Sequence, residues 1–318
     1  MRPLVPLNNK EHIDDYIHAG AGEFYIGFYD EKWHERFGEY ADINRLTGFK
    51  KDANPYSLEE VADIIRDVKA KGKMIYVTFN ASMYSKAQLE VIADYMRYLK
   101  ETNLDGVIVS CNELVELAGK TGVPAVISTI SGIYNSDIVK FYKELGAKRV
   151  ILPRDLSIDE IEMIVSKVPD MEYEIFMMRN GCRFSDGHCL GFHRLELPSI
   201  CSYIGKATRQ MILDKDHFKE RHDAEMNDMI YTQSFHNMAC GLCGIYRFVK
   251  MGITAGKIVG RSDEWQYICR DIEAIRDNVE IAKTCKSEEE FLEKMLMPEE
   301  RAQRCVLGLS CYYPEVRF

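Results

Sequence analysis

Short apolar runs recur along the chain, each about as long as a strand, and stretches of helical periodicity separate them. Candidate strands cover residues 4–7, 23–27, 73–79, 106–109, 125–128, 149–152, 173–177 and 254–259. Several are rich in Val, Ile, Tyr and Phe, the pattern of parallel strands covered on both faces. Over 57–71, Val61, Ile64, Ile65 and Val68 fall on one helical face. Ser57 with Glu60 makes a capping box that starts this helix, and Ser157 with Glu160 repeats the device before a helix over 157–168. Residues 86–100 and 136–145 read the same way, and Gly146 is placed to end the latter. Eight strands alternating with helices predict a (β/α)8 TIM-like barrel, with an open parallel sheet as the alternative.

One interval breaks the rhythm. About 75 residues separate the seventh and eighth candidate strands, far more than one crossover helix needs. The expected organisation is a barrel domain over 1–284, including a cysteine-rich insertion over 178–253, and a C-terminal extension over 285–318 packed on the barrel. The insertion holds Cys182, Cys189, Cys201, Cys240 and Cys243, half of the ten cysteines. In a barrel it would emerge at the C-terminal mouth, where active sites are built.

Hydrophobic residues make up 46% and charged residues 29%, which fits a globular chain with a sizeable core. The 41 basic and 50 acidic residues leave a net charge of -9, which lowers the prospect of an RNA partner without removing it. The N-terminal apolar run is too short for a signal peptide, and no apolar stretch approaches the ~20 residues of a membrane span. A cytoplasmic protein is therefore expected. Thiols stay reduced there, so ten cysteines point to metal binding or catalysis more than to disulfides, with burial as small hydrophobes the plain alternative.

Only Cys240-Gly241-Leu242-Cys243 has the knuckle form of a zinc ribbon, and the first three cysteines are spaced Cys-x6-Cys-x11-Cys. Thiolates from separate loops can still converge on a cluster. Spacing alone leaves a metal site and structural cysteines as equal alternatives.

Several motifs together resemble the U-32 peptidase family. Lys71-Gly72-Lys73-Met74-Ile75-Tyr76-Val77-Thr78-Phe79-Asn80 is similar to a strand common in that family. So are Gly20-Ala21-Gly22-Glu23-Phe24-Tyr25-Ile26-Gly27, and Leu145-Gly146-Ala147-Lys148-Arg149-Val150-Ile151-Leu152 with the Arg154-Asp155-Leu156-Ser157 that follows. Cys182 and Cys189 match the family's Cys-x6-Cys pair, Cys201 matches its lone cysteine, and Cys240 stands 17 residues before Lys257-Ile258-Val259-Gly260-Arg261. The resemblance covers most of residues 3–284. Val259, Met178-Arg179 and Ile130 depart from the family pattern, all near the expected active face.

The resemblance implies a 4Fe-4S cluster on Cys182, Cys189, Cys201 and Cys240. It implies oxygen-independent hydroxylation of a small molecule or an RNA base, with prephenate as the oxygen donor. The length is similar to short members that act in ubiquinone hydroxylation, some as heterodimers, so a protein partner and a non-catalytic cluster-bearing subunit are alternatives. A peptidase is a third reading, but neither a Gly-x-Ser-x-Gly elbow nor a His-Glu-x-x-His helix occurs.

The remaining candidates each carry a plain alternative. Lys257, Arg261 and Arg154 suit a carboxylated donor, or else form salt bridges in the barrel mouth. Asn80 and Ser128 end strands, where they orient a substrate or cap a loop. Cys243 reads as packing, with a substitute ligand as the alternative. Cys305 and Cys311 read as buried thiols that could also meet a partner or reach the cluster. His188 and His193 bracket Cys189 and read as supporting or surface histidines rather than ligands.

Overall fold

The computed structural model describes residues 1–182, 184–189, 226, 235–260, 263–305, 308 and 310–316. Its strands are β1 (Arg2–Pro6), β2 (Glu23–Ile26), β3 (Met74–Phe79), β4 (Gly106–Val109), β5 (Ala125–Ile127), β6 (Ala147–Ile151), β7 (Glu172–Met178) and β8 (Ala255–Ile258). Each pairs in parallel with the next, and β1 pairs with β8, so the sheet closes into a barrel. The seam is held at Arg2↔Ala255 and Leu4↔Lys257, with the Arg2 N–H donating to the Thr254 carbonyl at 2.9 Å.

Helices fill the crossovers. They are α1 (Ile13–Ala19), α2 (Glu31–Phe37), α3 (Lys50–Ala53), α4 (Leu58–Ala70), α5 (Lys86–Lys100), α6 (Asn112–Thr121), α7 (Ser136–Glu144) and α8 (Ile158–Lys167). Then come α9 (Ile245–Lys250), α10 (Trp265–Thr284), α11 (Glu288–Lys294) and α12 (Glu299–Cys305). The capping boxes at Ser57/Glu60 and Ser157/Glu160 form as expected, and Ser85 with Gln88 makes another at the start of α5. Gly146 ends α7 with φ 99, a left-handed conformation that costs glycine little. Val61, Ile64, Ile65 and Val68 of α4 are all buried against the barrel, each worth roughly 1.5–3 kcal/mol on the transfer scale.

All eight expected strands are present. β1 starts earlier than its apolar run because Arg2 and Pro3 already pair with β8. The insertion expected over 178–253 lies mostly outside the described residues. Among the described residues, no helix is long and apolar enough to cross a membrane.

The barrel interior is not purely apolar. Side chains two apart on a strand share a face, so Glu172, Glu174 and Phe176 of β7 rise in steps on one face. At the floor, Arg149 of β6 donates to Glu23 of β2 at 2.5 Å and to Glu172 at 2.9 Å. Its guanidinium lies 5.0 Å from the Tyr76 ring centroid. One step up, Lys257 donates to Glu174 at 2.7 Å and sits 3.9 Å over the Tyr25 ring. Arg2 closes the set with a 2.6 Å contact to Glu23. Three cations face three carboxylates, so a costly burial of charge is neutral as a whole.

Arg149→Ala should therefore be severe, because Glu23 would then face only the half-exposed Arg2. A loss of about 3–5 kcal/mol in urea unfolding is expected, the scale for breaking a buried pair from one side. A loss below 1 kcal/mol would show that the network does not hold the floor.

Candidate active site at the barrel mouth

The C-terminal strand ends converge on one mouth, and most of the expected site residues lie there. Asn80 follows β3 and Ser128 follows β5; the Asn80 side-chain amide donates to the Ser128 hydroxyl at 3.3 Å. The Asn80 carbonyl oxygen accepts the Arg45 backbone N–H at 3.2 Å, so this pair ties the loop after β2 to the barrel.

That loop is built on buried polar side chains. Asn44 and Asn54 are fully buried, and the Asn44 amide donates to Asn54 at 3.1 Å. Thr47 Oγ1 accepts from the Ile43 and Asn44 N–H groups at 3.0 and 2.9 Å, and Asn44 Oδ1 accepts from Leu46 N–H at 2.9 Å. Each buried polar group has a partner, which is what makes such a loop rigid rather than costly. Its product is a fixed Arg45.

Arg45 reaches the segment after β7. One Nη donates to Cys189 Sγ at 3.2 Å, and the other lies 3.6 Å from Asp186 Oδ1. Arg154, after β6, donates from Nε to the other Asp186 oxygen at 2.7 Å and from Nη1 to the Asn180 carbonyl. Its guanidinium stacks 4.1 Å from the Phe176 centroid. Asp186 is thus forked by two guanidiniums. Burial pushes its carboxyl upward, but Arg154 and Arg45 outweigh this and hold it below the usual carboxylate range. Two cations against one carboxylate leave a surplus positive charge beside Cys189.

The route from β7 to the cysteines is sharply bent. Arg179 and Asn180 take left-handed φ values of 64 and 47, which cost ~1–3 kcal/mol each for non-glycine residues. The bend is held by an Arg179–Asp271 ion pair, by the Arg179 N–H donating to Ala239 at 2.8 Å, and by the Tyr312 hydroxyl donating to the Arg179 carbonyl. Cys182 follows at once. Its sulfur accepts the Phe184 N–H at 3.4 Å, and it lies within electrostatic reach of Arg154.

The loops after β5 and β7 meet without side chains between them. A Cβ on Gly187 would lie 2.7 Å from the Gly132 Cα. Tyr134 spans this contact, accepting the Gly187 N–H at 3.3 Å and bonding to the Ser185 hydroxyl.

Other expected residues lie elsewhere. Lys257 is below the mouth, paired with Glu174. Cys240 is buried beside Cys305, with its thiol pushed upward by burial. His188 bonds Ser185 at 3.1 Å and stacks on Tyr134. Cys201, Arg261 and His193 lie outside the described residues. Among the described residues, no three Cys, His, Asp or Glu side chains stand at ion-holding spacing. Arg45 and Tyr134 were not legible in the sequence, since loops remote from the cysteines deliver them. Asp186 was signalled only by its place inside the Cys182–Cys189 interval.

The sequence profile of Peptidase family U32 matches residues 8–306. The tRNA hydroxylation protein P1 of Bacillus subtilis is 26% identical over 297 residues, 91% of this chain and 65% of that protein. The tRNA hydroxylation protein P of Escherichia coli is 34% identical over 139 residues, 43% of this chain and 30% of that protein. A 23S rRNA 5-hydroxycytidine synthase of the same organism is 26% identical over 221 residues, 67% and 31% of the two chains. The chain thus spans less than two thirds of the length of each of these relatives.

The Asp186 fork carries a pH signature. Its folded pKa lies below the unfolded value of ~3.9, so its stabilisation is present above that pH and lost as pH falls through the folded value. Asp186→Asn should cost ~3 kcal/mol at pH 7 in urea unfolding. The gap to wild type should close as pH falls below ~4. A gap that persists in acid would assign the effect to something other than ionisation.

Proposed function

Because the chain belongs to peptidase family U32, we propose that it is an iron–sulfur-dependent hydroxylase that oxidises a small molecule or an RNA base without molecular oxygen. The observation that carries this reading is the guanidinium of Arg45 donated to Cys189 beside the Arg154–Asp186 pair. The relatives named for tRNA and rRNA hydroxylation support the reaction class.

A 4Fe-4S cluster would take Cys182, Cys189, Cys201 and Cys240 as ligands and supplies electron transfer when bound. Of the described three, Cys182 and Cys189 follow β7 and Cys240 is bridged to Met178 at the end of that strand. Thiolates are the ligands of choice of such a cluster, and hydrogen bonds from cations to sulfur tune and retain it. The positive surplus at Arg45 and Arg154 offsets the negative charge that the thiolates bring.

The chain's other residues bind and orient. The positive surplus of Arg154 and Arg45 over Asp186 would attract a carboxylated oxygen donor of the prephenate kind. Arg261 is a second candidate for the same anion. Asn80, half-buried, would offer a polar edge to the substrate while it holds the Arg45 loop, and the buried Ser128 fixes its orientation. Lys257 is committed to Glu174 and so supports the floor beneath the donor rather than clamping it.

Iron content of anaerobically purified protein tests the reading. Cys182→Ala and Cys189→Ala should each lose most of the iron, and unchanged iron would sink the assignment. Arg45→Ala should keep all four thiols but release iron to a chelator ~10–100-fold more readily, the usual effect of losing a group that supports a ligand. Incubation with prephenate and tRNA or rRNA transcripts should then yield nucleosides heavier by one oxygen. Iron without any such product would favour the non-catalytic subunit.

A further inference from the structure

Each of the three described thiols assigned to the cluster has an arginine near it, and each arginine comes from a different part of the chain. Arg45, in the loop after β2, donates to Cys189. Arg154, after β6, lies within electrostatic reach of Cys182. The third is Arg301 of α12, within electrostatic reach of Cys240. Arg45 and Arg154 share Asp186, whereas Arg301 stands in a fork of its own.

Arg301 is 2% exposed, so its charge has to be met inside the protein. One Nη donates to the Met238 carbonyl at 2.7 Å and reaches the Ala239 carbonyl at 3.4 Å. Those are the two residues immediately before Cys240. The other Nη donates to Asp271 of α10 at 2.8 Å. Asp271 is itself buried and also pairs with Arg179 at the bend after β7. One carboxylate therefore joins two guanidiniums, one at the approach to Cys182 and one at the approach to Cys240. With both Nη groups pinned, the planar guanidinium has a fixed orientation.

The remaining donor is Nε–H. It is buried and has no hydrogen-bond partner among the described residues. A buried donor left without a partner is costly, and native proteins keep few of them. Two sulfurs lie within electrostatic reach, those of Cys240 and Cys305. The Cys305 sulfur is engaged with that of Met297 at 3.9 Å. Cys240 is buried, bridged to Met178 at the end of β7, and preceded by the two carbonyls that hold the guanidinium. A neutral thiol is a weak acceptor and a thiolate ligand a strong one, so the Nε–H gains its partner when this sulfur binds iron.

We propose that Arg301 is a positioning residue for the cluster, its Nε–H donating to the Cys240 sulfur when that sulfur is a ligand, and that it sets how readily the cluster takes an electron. The inference rests on the iron–sulfur reading of the site and deepens it by naming a residue that tunes the group there. Hydrogen bonds to the sulfurs of a cluster are among the terms that set its potential. An electron gained adds one negative charge, and a fixed guanidinium donating to a ligand sulfur favours that state. Arg45 makes the matching bond to Cys189 from the opposite end of the sequence. Arg45 is half-buried and Arg301 fully buried, so water weakens the Arg301 bond less.

The test uses the full chain, purified anaerobically, with iron content measured and reduction by dithionite followed by absorbance at set potentials. Arg301→Lys keeps a cation for Asp271 but has no Nε–H. It should retain the iron of wild type, while the ratio of reduced to oxidised cluster at a fixed potential falls at least tenfold, ~59 mV for a one-electron couple. An unchanged ratio with iron retained overturns the inference and leaves the cluster reading standing. Loss of iron, with the remaining cluster reduced as readily as in wild type, also overturns it, because Arg301 would then be a structural support only. Wild type that holds no iron removes the cluster reading, and this inference with it. Should Arg301→Lys fail to fold, wild type carrying arginine labelled with ¹⁵N at Nε alone decides. Arg45 reaches Cys189 through Nη and the Arg154 Nε is bound to Asp186, so of these three arginines Arg301 is the one with Nε available to a sulfur. Pulsed electron paramagnetic resonance of the reduced protein should show a ¹⁵Nε coupling to the cluster, and its absence overturns the inference.

Discussion

A neutral lattice of buried charge inside the barrel is the constraint that the rest of the structure obeys. Arg149 must reach Glu23 and Glu172 at the floor, and Lys257 must reach Glu174 above it, for the burial of Arg149, Lys257, Glu23 and Glu174 to be tolerable. These partners sit on β2, β6, β7 and β8. Their registry therefore sets the shear of the barrel as firmly as the backbone pairing does. A strand shifted by one residue would turn its charge out of the lattice. The mouth inherits this precision, since Arg154 follows β6 itself and Asn80 and Ser128 follow β3 and β5, which pair with the lattice strands β2 and β6.

Above the lattice, the chain accepts local strain to deliver cysteines. Two consecutive left-handed residues, Arg179 and Asn180, swing the backbone off β7. Each is clamped by contacts from distant segments: Asp271 on α10, Tyr312 in the C-terminal return, and Arg154. Strain of this kind persists only where surroundings over-determine it. The same bend separates two thiol neighbourhoods, one facing the Arg45–Asp186–Arg154 fork and one facing the C-terminal return. The fork suits charge on sulfur and on a bound anion, and the return suits enclosure.

Much of the scaffold was readable from the chain alone, and for a physical reason. Strands covered on both faces are largely apolar, so all eight left visible runs despite the charges of the lattice, and Ser57/Glu60 and Ser157/Glu160 announced their helices by local hydrogen bonding. The site was readable only in part. Cys182 and Cys189 carry a spacing, but Arg45 is placed by Asn44, Asn54 and Thr47, whose bonds are long-range in effect and leave no periodic trace. Lys257 was expected to serve the mouth or a salt bridge, and Glu174 takes it for the latter. The meeting of Cys305 and Cys311 with Cys240 depends on how the C-terminal segment folds back, which no local pattern encodes.

The seam between β1 and β8 has a consequence for how the protein comes into being. Arg2 and its partners Thr254 and Ala255 stand at opposite ends of the barrel's run of strands, so all of β2 to β7 lies between them in the sequence. Contacts of such sequence separation are slow to form because the intervening loop must be closed first. Until then β1 and β7 are both open edges, exposed to mispairing. The mouth, built on a ring, has no finished form before that closure.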